Sequence, residues 1–250
     1  MSTSAYQWGS PIAPRRALLI HGLTMSSNSW ESVAQLLVAE GFFVVAPNLL
    51  GHAWRQRGSD YSVSSIAEDL RSYFVMGTSY DVIIGHSLGG PVALSLLPFL
   101  PKKEVTVILV DPAIEVPHEL AEMFQELFVK EVVTLRTPDE HMAENPAWSR
   151  SSCVQRMMGL SMCDSTTIKS LFQRHKPWSF GHLFKNVTPN VKISVLLSDP
   201  KSPDTVCRLE HIPRDVKRLD ARVIPDTGHW IQSECPNAIM DAIPLPRANL

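Results

Sequence analysis

Gly85-His86-Ser87-Leu88-Gly89 is the stretch of this chain best suited to chemistry. Val82-Ile83-Ile84 before it reads as a β-branched strand, and Pro91–Leu97 after it as an apolar helix. A serine on such a strand-to-helix turn is strained and exposed, with its hydroxyl at the helix N-terminus. The glycines two positions either side let backbone pack against backbone. Gly-x-Ser-x-Gly alone is a weak pattern; the strand before and the helix after it make Ser87 a nucleophile.

A serine hydroxyl attacks poorly near neutral pH unless a base takes its proton, and a histidine base needs a carboxylate to fix its tautomer. Candidates follow in chain order. Asp199 follows the strand Val191–Leu197, and Thr227-Gly228-His229-Trp230 follows the short strand Ala221–Ile224. Upstream, His21-Gly22-Leu23-Thr24 follows the strand Ala17–Ile20. Serine, acid, histidine is the order of one hydrolase architecture.

The elements that must position these residues alternate. Strands are expected at Ala17–Ile20, Phe42–Ala46, Val82–Ile84, Val105–Val110, Val191–Leu197 and Ala221–Ile224. Helices are expected over Ser29–Glu40, stopped by Gly41, over Ser62–Val75 with Ser62 or Ser64 as N-cap, after Ser87, and over Ile231–Ile243. Near-continuous apolar strands separated by helices imply a parallel sheet covered on both faces, an α/β fold. The pattern breaks between Pro112 and Pro189, where no clear strand is visible. Long inserts of this kind tend to be binding elements or lids, although extra core-covering helices would read the same way. The division expected is therefore a core of 1–111 and 191–250 with a helical lid of 112–190.

The chain has 250 residues, 44% of them hydrophobic and 19% charged, with a net charge of −2. One α/β domain with a substantial core fits that length. No basic run points to nucleic acid or an anionic membrane, and no apolar stretch approaches the roughly 18 residues needed to span a bilayer. Residues Met1–Ser10 lack a charged and an apolar signal region, so a cytoplasmic protein is expected, with Cys153, Cys163, Cys207 and Cys235 as reduced thiols. The tail Ala248-Asn249-Leu250 only loosely matches a peroxisomal Ser-Lys-Leu signal. No metal spacing is visible, and oligomeric state is left open.

From Ala17 to Ile243 the chain resembles the α/β-hydrolase superfamily, in its lid-bearing esterase, lactonase and C–C hydrolase branch. The resemblance is carried by His21-Gly22-Leu23, Gly85–Gly90, Leu109-Val110-Asp111-Pro112-Ala113, Asp199-Pro200-Lys201-Ser202-Pro203 and Gly228–Pro236. It implies Ser87 as nucleophile, His229 as base and a carboxylate as orienter. It also implies an oxyanion hole from the backbone N–H groups of Leu23 and Leu88, each donor worth about 2.7–4 kcal/mol in other hydrolases. No cofactor or metal is implied. The usual family position of the acid favours Asp199, with Asp111 as alternative and Asp204 and Asp226 more distant. The family's glycine-rich turn is missing before Asp199. His21 and His86 read as scaffolding, and His52 lies in a family loop in which Asn48, Leu50 and Ala53 depart from the usual residues.

Only 16 residues precede the first parallel strand. The expected sheet therefore has six parallel strands in spatial order 2-1-3-4-5-6, with or without one stray N-terminal strand. Ser87 falls at its C-terminal edge. Trp30, Trp54 and Trp230 beside the motif loops, and Trp148, Trp178 and Met158 in the insert, are expected pocket walls, with Met123, Met157 and Met162 adding adaptable surface. The function implied is cleavage of a small apolar ester or lactone through an acyl-enzyme. C–C bond hydrolysis of a diketone, acyl transfer and a non-catalytic receptor-like role use the same residues and stay open. A carboxylate nucleophile, as in dehalogenases and epoxide hydrolases, is excluded by the serine at 87.

Overall fold

The computed structural model describes residues 4–55, 60–74, 78–101 and 103–244. The chain opens with β1 (Ala5–Trp8), β2 (Arg15–Ile20), α1 (Glu31–Ala39) and β3 (Phe42–Pro47). It continues with α2 (Val63–Leu70), β4 (Val82–His86), α3 (Gly89–Leu96) and β5 (Val105–Val110). An insert follows: β6 (Glu115–Val116), α4 (His118–Val133), α5 (Pro138–Glu144), α6 (Arg150–Ser161), α7 (Ser165–Arg174) and β7 (Trp178–Ser179). The chain closes with β8 (Val191–Leu197), β9 (Leu219–Val223), α8 (Ile231–Glu234) and α9 (Pro236–Met240).

Seven strands form one sheet in the order β1-β3-β2-β4-β5-β8-β9. All neighbours run parallel except β1, which pairs antiparallel with β3. The six parallel strands thus take the expected order, with the stray N-terminal strand at the edge. The direction of winding reverses between β2 and β4, and a crevice opens at the strand C-termini there, the usual binding position in such sheets.

Both faces of the sheet are buried, which is why its strands are apolar at consecutive positions. Leu18, Ile20, Ile83, Val107, Leu109 and Val195 pack on one side with α2, α3 and the insert. Ala17, Leu19, Ile84, Ile108 and Val110 pack on the other with α1, α8 and α9. Ser62 caps α2 by accepting from Ser65 N–H, as the sequence predicts. The Val75 end of that expected helix lies outside the described residues, as does the Ala248–Leu250 tail.

Two expectations are corrected. The closing helix is two short ones, because Pro236 has no N–H to continue α8 and instead starts α9. The insert does contain strand: β6 and β7 pair antiparallel through Glu115–Ser179 and Val116–Trp178, tying its two ends together. Two-residue strands carry too little periodicity to be seen in a sequence. Among the described residues no helix is long and apolar enough to cross a membrane.

Candidate active site

β4 delivers Ser87 to the middle of the crevice. Its φ is +52°, in the left-handed region that a non-glycine residue seldom occupies. Close approach enforces the turn: a Cβ on Gly85 would lie 2.2 Å from the Gly89 carbonyl oxygen, and one on Gly89 2.2 Å from that of Ile20. The turn is held further by Ser87 N–H donating to Val110 O at 3.0 Å, and by Gly90 and Ala113 N–H donating to Ser87 O at 2.9 and 3.1 Å.

β2, next to β4, ends at Ile20, and His21 and Gly22 follow it. A Cβ on Gly22 would lie 3.1 Å from Ser87 Cβ, so this loop passes directly beside the serine. The N–H groups of Leu23 and Leu88 have no acceptor among the described residues. His21 anchors the loop: Nδ1–H donates to Gly22 O at 2.8 Å, and Nε2 accepts from Leu49 N–H at 3.1 Å. Burial, with the neighbouring His52, lowers its pKa to about 3, so the ring is neutral.

β9, at the far edge of the sheet, leads into the turn that brings His229 back to the centre. His229 N–H donates to Asp204 Oδ2 at 3.1 Å, Gly228 N–H donates to Glu234 Oε2 at 2.6 Å, and His229 O accepts from His86 Nε2 at 2.9 Å. The imidazole Nδ1 lies 2.6 Å from Asp111 Oδ2. A carboxylate oxygen accepts here, so Nδ1–H is the donor, and in the neutral ring Nε2 is the nitrogen free to accept a proton. Asp111 has no exposed surface, sits at φ +36° just after β5, and also accepts from Val206 N–H at 3.1 Å and from Ser198 and Cys207 N–H at 3.3 Å.

Ser87 and His229 open onto one cavity of about 730 Å³ including its mouth. Leu23 and Leu88 form its floor, and Phe124, Leu127 and Phe128 of α4 contribute to its wall. Phe172, Trp178 and Trp230 are also in the lining, with three charged side chains, Glu131, Arg156 and Asp204. The rest of the wall is apolar, apart from Ser87 and His229. Such a site can seat an uncharged acyl group while a base and two amides face its carbonyl.

A family model described as the alpha/beta hydrolase family matches residues 17–242. The chain belongs to the alpha/beta hydrolase family. An uncharacterized protein of Mycobacterium tuberculosis, Rv2715, is 40% identical over 95 residues, 37% of this chain and 28% of that protein. Lipase LipV of the same organism is 35% identical over 108 residues, 42% of this chain and 40% of its own length. The matched stretches thus span less than half of these curated relatives. Among solved structures, a thermophilic esterase from Thermogutta terrifontis superposes with a TM-score of 0.71 at 20% identity, covering 96% of this chain and 90% of that one.

Within this alpha/beta hydrolase the sequence-predicted residues separate clearly. Ser87, His229, Leu23 and Leu88 come together as expected. Asp199 does not join them. Its Oδ1 accepts from Lys201 N–H at 2.9 Å and its Oδ2 from Asp226 N–H at 3.1 Å, so it braces two loops beyond β8. Those amides, Lys201 first, lower its pKa. The carboxylate on His229 is Asp111, the alternative, because the strained residue after β5 turns its side chain under the histidine loop.

Of the expected pocket residues only Trp178 and Trp230 line the cavity. Trp30 is fully buried on the opposite face of the sheet, among Val33, Ala34 and Leu37 of α1. Trp54 is 81% exposed, because the left-handed Ala53 and Trp54 turn that loop outward. Met158 faces out from α6. Trp148 stands behind the wall, its ring 5.4 Å from that of Trp230 and its Nε1–H donating to Glu234 Oε1 at 3.2 Å. The sequence reading missed Asp204's grip on His229, the α4 aromatics and the Arg156–Glu131 pair. One signal for Arg156 existed: it falls in the buried stripe Cys153, Arg156, Gly159, Leu160 of α6, an odd place for a cation. The cysteines are unpaired, and among the described residues no three His, Cys, Asp or Glu side chains gather as a metal site.

Proposed function

We propose that this protein is a serine hydrolase that cleaves a small apolar ester or lactone through a Ser87–His229–Asp111 triad. His229 Nε2 takes the proton as Ser87 Oγ attacks the carbonyl, and Asp111 stabilises the imidazolium. The Leu23 and Leu88 amides receive the oxyanion. Collapse expels the alcohol, which takes the proton from His229. Water, activated by the same nitrogen, then releases the acid from the acyl-enzyme. The insert over 112–190 acts as the lid, since α4, α6 and α7 supply much of the pocket wall.

The observation carrying this reading is the 2.6 Å contact of His229 Nδ1 with the buried Asp111, in the same cavity as a serine held at φ +52°. The family, and the likeness to Lipase LipV over part of the chain, support hydrolysis of an ester rather than another chemistry on this fold. The apolar wall supports an uncharged acyl group. A fluorophosphonate probe should label Ser87, p-nitrophenyl esters should turn over, and Ser87→Ala should lose both while remaining folded. Labelling without multiple turnover on an ester and lactone panel would instead support a ligand-binding role, and full activity in Ser87→Ala would refute the mechanism.

A further inference from the structure

Arg156 is a cation only 6% exposed in the wall of the reaction cavity, and the mechanism above leaves it without a task. Its Nη1 donates to Thr24 Oγ1 at 2.7 Å and approaches Thr24 O at 3.4 Å, while Nη2 donates to Glu131 Oε2 at 2.6 Å. The guanidinium lies 4.6 Å from the ring centroid of Trp230, the residue after the base. Glu131 already matches its charge before any substrate arrives, which argues against capture of an anionic substrate group.

What Arg156 does hold is the loop of the oxyanion donor. Thr24 follows Leu23 and sits at φ +58°, a conformation that a β-branched residue does not keep unaided. Its hydroxyl, accepting from Arg156, donates in turn to Leu23 O at 2.7 Å. The same helix presses on the same backbone one turn further along. A Cβ on Gly159 would lie 2.8 Å from Thr24 O and 3.0 Å from Met25 Cα. So α6 meets this loop through a charged donor and through an absent side chain, both on its buried stripe.

We propose that Arg156 is a positioning residue for the oxyanion hole: from α6 it locks Thr24 in its left-handed conformation and thereby fixes the Leu23 N–H that faces the substrate carbonyl. The inference rests on the serine-hydrolase reading. Its consequence is that the oxyanion hole is complete only while the insert is seated, because one of its two donors is braced by a helix of that insert.

The test compares kcat and KM on p-nitrophenyl butyrate for the wild type, Arg156→Met, Arg156→Lys, Thr24→Val, the Arg156→Met/Thr24→Val double variant and Gly159→Ala, each checked by thermal melting. Misplacing one oxyanion donor should lower kcat of Arg156→Met by about 10- to 100-fold with KM nearly unchanged. Arg156→Lys should recover part of the loss. Thr24→Val should also slow turnover, and the double variant should be no slower than the slower of the two single variants, since both break the Arg156–Thr24 contact. Affinity for a boronic acid that mimics the tetrahedral species should fall in parallel with kcat/KM. If Arg156→Met does not fold, Gly159→Ala decides, since it pushes α6 off Thr24 with Arg156 intact and should lower kcat alone. Wild-type kcat in any folded member of this set, a loss confined to KM, or additive losses in the double variant would overturn the inference. A wild type that neither labels with fluorophosphonate nor turns over any ester overturns the serine-hydrolase reading and this inference together; failure of the variants alone, with an active wild type, overturns only the inference.

Discussion

His86 Nε2 donates to the main-chain carbonyl of His229 at 2.9 Å, so the residue before Ser87 holds the backbone of His229. Serine and histidine are 142 positions apart in the chain, yet this bond fixes their loops to each other. A carbonyl only accepts, so Nε2 carries the ring proton, and burial keeps the pKa of His86 well below the usual histidine range. Glutamine can place a donor at similar reach and leucine cannot. His86→Leu should therefore lose more kcat than His86→Gln, and should destabilise by about 1–3 kcal/mol through the orphaned His229 carbonyl. Urea unfolding and steady-state kinetics on the two variants check this; equal losses would deny the hydrogen bond its role.

The acid can be assigned by a pair of isosteric substitutions. Asp111→Asn should cut kcat by about 10⁴-fold, the scale seen when a triad aspartate can no longer enforce the histidine tautomer. Asp199→Asn should leave kcat at the wild-type level, because among the described residues that carboxylate accepts hydrogen bonds only from the amides of Lys201 and Asp226. The reverse ranking would restore the sequence-based assignment.

Stability should fall steeply on mild acidification. Burial lowers the pKa of His21 to about 3 and of His52 to about 4, and holds that of His86 well below the usual histidine range. In the unfolded chain each returns to about 6.5. Between these limits the unfolded state binds protons that the folded state refuses, so stability declines as pH drops below about 6.5 and is recovered above it. Each histidine contributes a slope of at most about 1.4 kcal/mol per pH unit. Urea midpoints should drop sharply between pH 7 and pH 5, and His52→Gln, which removes one of these groups, should flatten the profile. A flat midpoint over that range would contradict the burial of these rings.

Much of this arrangement is legible without coordinates, for reasons that differ by residue. Strand order follows from apolar runs and crossover handedness, both local or general rules. Ser87 and His229 are marked by neighbouring glycines that their turns require. The acid is not marked, because Asp111 and Asp199 both follow buried strands, and which of them points under the histidine depends on backbone torsions at φ +36° after β5. The tryptophans mislead for a related reason. A Trp beside a motif loop can face either side of the sheet, and Trp30 faces the side away from the crevice. The pocket wall of Phe124, Leu127 and Phe128 comes from a helix whose docking is set by tertiary packing, to which its own sequence pattern is blind.

That wall gives the last prediction, on acyl-chain length. Phe124 and Phe128 lie one turn apart on α4 with ring centroids 6.1 Å apart, and both line the cavity together with Phe172 and Trp178. Phe124 is only half-buried, so shortening it opens the cavity without emptying the core. Phe172 and Trp178 pack ring to ring at 5.0 Å, and Trp178 Nε1–H donates to Ala113 O at 2.8 Å, which keeps that part of the wall in place. Phe124→Ala should therefore lengthen the space for an acyl chain while leaving the triad untouched. The ratio of kcat/KM for p-nitrophenyl octanoate over acetate should rise by about tenfold, the scale on which apolar pockets discriminate by a few methylenes. Because the added room lies along the chain and not at the carbonyl, kcat on acetate should change little. A uniform drop on every ester would place Phe124 in the support of the site instead, and an unchanged ratio would mean that the acyl chain leaves the serine by another face of the cavity.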